Sequence, residues 1–151
     1  MSTYQQHALE GASPVDLVVA LYDGMIRFLY DATHALERGD IAARRIAVKR
    51  TLDVIMHLQA RLRMDIGGRP AKVLSEFYAS IFAQILQASQ DSSRQKFEHA
   101  IDCIRNVRDA WREVARAPET ASRLSHLTAS AAGEKTAGEA EFDGTVSRWT
   151  A

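Results

Sequence analysis

The three prolines and most of the eight glycines of this chain are distributed like punctuation around long helices. Ser13-Pro14-Val15-Asp16 presents an N-cap serine, a proline at the first helical position and an acid three residues after the cap, which together start a helix. That helix is predicted to run to about Glu37 and to stop at Arg38-Gly39-Asp40. Asp40 then caps a second helix that continues to about Ile66 and ends at Gly67-Gly68. Pro70 opens a third, reaching about Ala88. The polar stretch Ser89 to Ser93 turns the chain and caps a fourth, which ends before Pro118. Four helices of roughly 19 to 26 residues, joined by connections of a few residues, force antiparallel neighbours. The expected fold is all-α, an antiparallel up-down-up-down four-helix bundle over 13–117. An N-terminal arm at 1–12 precedes it, and a flexible, low-complexity tail at 118–151 follows, with room for one short helix.

Apolar spacing supports each helix. The first carries Leu17, Leu21, Phe28 and Ala35 on one line, with Val18, Tyr22, Met25, Leu29 and Leu36 beside it. The second carries Ile41, Val48, Leu52, Ile55, Leu62 and Ile66. The fourth has Phe97, Ile101, Ile104, Val107, Trp111 and Val114, close to a heptad seam. The third differs: Val73, Leu74, Phe77, Tyr78, Ile81, Phe82, Ile85 and Leu86 sweep an arc of about 220°, wider than a bundle stripe.

Composition narrows the function. Nineteen Lys and Arg balance nineteen Asp and Glu, so there is no concentrated positive field for nucleic acid or an anionic membrane. One cysteine, Cys103, excludes an internal disulfide and a multi-cysteine zinc site and suits a reducing compartment. The polar first ten residues carry no apolar signal core, and no apolar run approaches the ~20 residues of a membrane span. A cytoplasmic, non-membrane protein without cofactor or metal is expected.

Catalytic motifs are missing. There is no phosphate-binding G-x-x-x-x-G-K, no H-E-x-x-H and no Glu-x-x-His of a di-iron bundle. Cys103 reads as a small buried hydrophobe. His34 carries the one enzymatic alternative, because a helical bundle with an exposed histidine resembles a histidine phosphotransfer domain. Its run His34-Ala35-Leu36-Glu37-Arg38-Gly39 puts Glu37 where that motif has lysine, and an acid there repels an incoming phosphoryl group. A surface histidine near a helix C-terminus is the simpler reading. Arg44, Arg45, Lys49, Arg50, Arg61 and Arg63 lie on the second helix without interleaved aromatics, as on a solvated face.

What remains is apolar surplus. Ile46, Met56 and Leu58 lie beside the main stripe of the second helix, next to the over-wide arc of the third. Met56, Leu58, Tyr78, Ile81, Phe82 and Ile85 are therefore expected to border an exposed track for a partner helix or peptide. A buried central helix, or a self-associating module whose surplus closes a homodimer, would use the same residues.

The residues also carry a family resemblance. Tyr4-Gln5-Gln6 leads through Ala12-Ser13-Pro14 to Leu17 and Leu21-Tyr22-Asp23-Gly24. Gly67-Gly68, then Leu74 to Tyr78, then Ala110-Trp111-Arg112-Glu113 follow. In this order they resemble the flagellar secretion chaperones of the FliS family over about residues 4 to 116. The resemblance implies a non-enzymatic bundle that binds the C-terminal segment of flagellin, prevents its premature polymerisation and helps present it to export-gate components. It also implies that the arm, through Tyr4, Ala8 and Leu9, covers part of the bundle until a client displaces it, with Tyr22 near the covered pocket. The expected assembly is a monomer or weak homodimer. The family gives no role to the tail, where Ala121, Leu124, Leu127 and Ala131 suit a weak helix and Phe142, Val146 and Trp149 are spaced for an amphipathic turn. That turn, if more than a few stray apolar residues, could occupy part of the client track.

Overall fold

The structure is a computed structural model, described here for residues 13–116. Expectations for Tyr4 and Leu9 in the arm, and for the tail from Pro118 onward, lie outside the described residues. Within them stand four helices: α1 (Pro14–Arg38), α2 (Ile41–Ala60), α3 (Gly68–Gln90) and α4 (Arg94–Ala115).

The caps are those the sequence specifies. Ser13 Oγ accepts from the Asp16 N–H at 3.1 Å and the Asp16 carboxylate accepts from the Ser13 N–H at 3.4 Å, closing a capping box. Gly39, at φ 72°, takes the left-handed conformation that ends α1. Asp40 caps α2 through the Ala43 N–H at 3.0 Å, and Ser93 caps α4 through the Lys96 N–H at 3.1 Å.

The second helix is shorter than its apolar pattern predicts. It ends at Ala60 rather than near Ile66, and residues 61–67 form a connection. Its last turn tightens: the Arg61 N–H is shared between the carbonyls of His57 and Leu58, and the Leu62 N–H bonds Gln59 O at 3.2 Å. Leu62 is nevertheless buried. The apolar rhythm continues because the connection still has to cover the bundle end, although the helix does not continue. α3 starts at Gly68, two residues before Pro70, with Gly68 at φ 59°.

α1 packs against α2 and α4, and α3 lies diagonally opposite it, between the same two neighbours. The core runs through Val18, Tyr22, Met25 and Leu29 of α1, Val48 and Ile55 of α2, Tyr78, Ile81 and Ile85 of α3, and Phe97, Ile101, Ile104 and Trp111 of α4. In α1 the inward line is thus the one through Val18 and Tyr22. Leu17, Leu21 and Phe28, expected at its centre, flank it half-buried. Ile41 opens α2 in solvent instead of joining the core. Buried Thr33 and Thr51 donate to the carbonyls of Leu29 and Ala47 one turn back, so neither hydroxyl is orphaned.

α3 is held less closely by its neighbours than α1 is by the same two helices. The α1–α4 seam is closed by charge as well: Arg108 meets Asp23 at 2.8 Å, and Arg112 meets it at 3.4 Å. Open surface therefore collects beside α3.

Candidate functional site

The broad arc of α3 resolves into three bands. Ala71, Tyr78, Ile81, Ile85 and Ala88 point inward and are buried, Leu74, Phe77 and Phe82 are half-buried, and Val73 and Leu86 are exposed. This corrects the expected track. Ile81 and Ile85, at 1% and 0% exposure, are core residues and border no surface, and Leu58 of α2 is core as well. Their spacing of four residues keeps both on the inward stripe; the arc is wide because of its flanks. Tyr22 is also fully buried.

Two apolar grooves of about 400 Å³ each flank α3, apart from a polar one between Gln84 and Gln87 of α3 and Gln95, Lys96 and His99 of α4. The first lies between the second half of α2 and the middle of α3, lined by Ile55, Met56, Gln59, Ala60, Tyr78, Ala79 and Phe82. Of the expected residues, Met56, Tyr78 and Phe82 meet here. Met56 is 58% exposed. The second groove, between the start of α3 and the end of α4, is lined by Arg69, Pro70, Val73, Leu74, Val107, Ala110, Trp111 and Val114. Sequence reasoning placed Val107, Trp111 and Val114 on the core seam and missed that groove. The available signal was Ala110, a small residue beside Trp111 that leaves room opposite Val73.

A buried polar link lies beneath the α2–α3 groove. The Tyr22 hydroxyl donates to the Tyr78 hydroxyl at 2.8 Å, across the bundle diagonal, with the rings edge-to-face at 6.3 Å. The buried Trp111 indole N–H faces the same Tyr22 hydroxyl without closing a hydrogen bond of ordinary geometry. Leu21-Tyr22-Asp23-Gly24 thus ties α1 to both other sides: Tyr22 to α3 and Asp23 to α4. Gly24 is not needed for packing, since a Cβ there would meet nothing within 4 Å.

Burial pushes the Tyr22 phenol up to about 12, and burial together with Tyr22 pushes Tyr78 further in the same direction. Both stay protonated in the fold at a pH where an unfolded tyrosine, near pKa ~10, ionises. Their contribution to stability is whole below pH ~10 and is lost as pH rises toward the folded values. Denaturant midpoints should therefore hold steady up to about pH 10 and fall above it. The Tyr22→Phe, Tyr78→Phe double variant should show a shallower fall, and identical profiles would disprove the assignment.

The other candidates are scattered. His34 is exposed in a polar depression with Asp31, Arg38 and Arg50, while Glu37 pairs with Arg94 at 2.8 Å. Cys103 is half-buried, and His99, one turn earlier on α4, brings Nε2 to 3.6 Å from its sulfur, a neighbour not anticipated above. On α2, Arg44 reaches Ser92, Lys49 pairs with Asp53 at 2.8 Å and Arg50 lies over the Phe28 ring. Among the described residues no group of three or more His, Cys, Asp or Glu could hold a metal ion, and no helix is long and apolar enough to cross a membrane.

A helical bundle with two apolar grooves beside α3 resembles protein-binding modules. Comparison with known proteins narrows the class. Residues 1–118 match the family described as Flagellar protein FliS. The chain is 32% identical to the flagellar secretion chaperone FliS of Vibrio cholerae over 70% of its own length and 78% of the relative's. It is also 32% identical to that of Salmonella typhimurium, over 73% and 82%, and 30% identical to that of Campylobacter jejuni, over 75% and 88%. The chain belongs to the FliS family. That membership supports a role as a flagellar export chaperone.

Proposed function

We propose that the protein holds the C-terminal segment of flagellin in the groove between α2 and α3, keeps it from polymerising early and passes it to export-gate components. The observation that carries this reading is the pairing of exposed Met56 with half-buried Phe82 over the core residue Tyr78. It is an open apolar seat whose floor is fixed by the hydrogen bond to Tyr22. An amphipathic helix laid there buries two or three large side chains, each contributing about 1.5–3 kcal/mol before ordering costs. A client that folds on binding can cover such a seat and still be released. Tyr4 and Leu9 of the arm act in this reading as the cover that the client displaces.

Titration of the full chain with a C-terminal flagellin peptide should give a one-to-one complex with a negative heat-capacity change, the mark of apolar burial. Absence of heat together with absence of co-elution would remove the proposal.

A further inference from the structure

The second groove asks for a different occupant. Its α4 wall ends at Val114 and α4 ends at Ala115, so the chain leaves the bundle beside the open groove. Pro118 follows; it cannot continue a helix and disfavours helical backbone at Ala117. A turn over residues 116–118 has the usual length of a helix–helix connection, and such short connections return the chain antiparallel beside the helix it has left.

Among the described residues, one flank of α4 is open to a returning segment. On the α1 side Asp23 holds Arg108 and Arg112. On the α3 side lie Val73, Leu74, Val107, Ala110 and Val114, uncovered, with Arg69 at the end where the chain leaves. The sequence supplies a matching strip: Ala121, Leu124, Leu127 and Ala131 share one helical face with Thr128 between them, and Ser122, Ser125 and Ser130 lie off it. Glu119 stands at the start, where its carboxylate would approach Arg69. A helix over 119–131 is about 20 Å long, enough to cover the roughly 10 Å between Val107 and Val114. The family match stops at residue 118, so this strip lies beyond the matched bundle.

We infer that residues 119–131 fold back as a fifth helix into the groove between α3 and α4, with Leu124 and Leu127 over Trp111, and close it to other occupants. The bundle then keeps its α2–α3 groove for a partner while its own chain seals the other. This holds whether or not the client is flagellin, because nothing in it depends on the first groove.

The test uses the full chain with its single cysteine removed by Cys103→Ser. Val73→Cys with Leu127→Cys should close an intramolecular disulfide under a glutathione buffer about tenfold faster or more than Asp53→Cys with Leu127→Cys, since docking raises the local concentration of the pair. Val73 and Asp53 are both exposed, so neither change threatens the fold. Hydrogen exchange on the unsubstituted chain should in parallel show protection over 121–131. Equal disulfide rates, disulfide-linked dimers in place of monomers, or exchange over 121–131 as fast as over 135–141 would each overturn the inference. The first and third would mean a solvated tail; the second would make the groove an interface between copies.

Discussion

Ile81→Asp and Ile85→Asp should each abolish cooperative folding. Both isoleucines are enclosed, at 1% and 0% exposure, with Phe97, Ile101 and Ile104 of α4 in the same core. Among the described residues, a carboxylate there would be enclosed by an apolar cluster. It must either lose its charge at a cost of several kcal/mol or open the core to water, and either outcome consumes much of the ~5–15 kcal/mol that holds a domain together. Leu86→Asp on the same helix is the control: Leu86 stands at the surface, 39% exposed, and surface changes of this kind stay within about 0.5 kcal/mol. Thermal unfolding followed by circular dichroism separates the cases. A folded Ile85→Asp variant with a near-normal midpoint would mean that α3 is rotated from the position described.

Met56→Asp combined with Phe82→Ala should leave the bundle folded and weaken flagellin-peptide binding by about a hundredfold or more. Met56 stands mostly in water before binding, so its replacement costs the free protein little. Phe82 is half-buried, and truncation to alanine removes its contact without placing a charge beside the core. Loss of two apolar anchors at ~1.5–3 kcal/mol each corresponds to at least two orders of magnitude in affinity. Calorimetry on the double variant, with the denaturation midpoint recorded beside it, reads both quantities. Unchanged affinity would move the client away from the α2–α3 groove; equal losses of affinity and stability would make Phe82 a structural residue.

The architecture was legible because its determinants are local. Ser13, Asp40 and Ser93 cap helices wherever the rest of the chain goes, and Gly39 ends one for the same reason. The site was less legible because burial is decided between helices. Periodicity said that the third helix was apolar over too wide an arc, which is correct. It could not say whether Ile81 or Phe82 faced the interior, since they differ by 100° and both lie within the arc. The phase of α1 failed likewise: Leu17 and Val18 begin two adjacent apolar lines, and packing against α2 and α4 selected the second. Leu62 misled differently, because a buried residue in a connection imitates one more helical turn. The groove of Val73 and Trp111 was hidden by the assumption that a heptad seam is covered along its whole length.

The bond between Tyr22 and Tyr78 has a consequence for alignment. Aliphatic rods can slide past one another by a turn and still bury grease, so a purely oily interior leaves several near-equal docking arrangements. Two phenols that satisfy each other only when α1 and α3 sit at one height act as a key in a slot: a misaligned bundle would strand both hydroxyls in oil. The helix with open space on either flank thereby keeps a single defined position along the bundle axis.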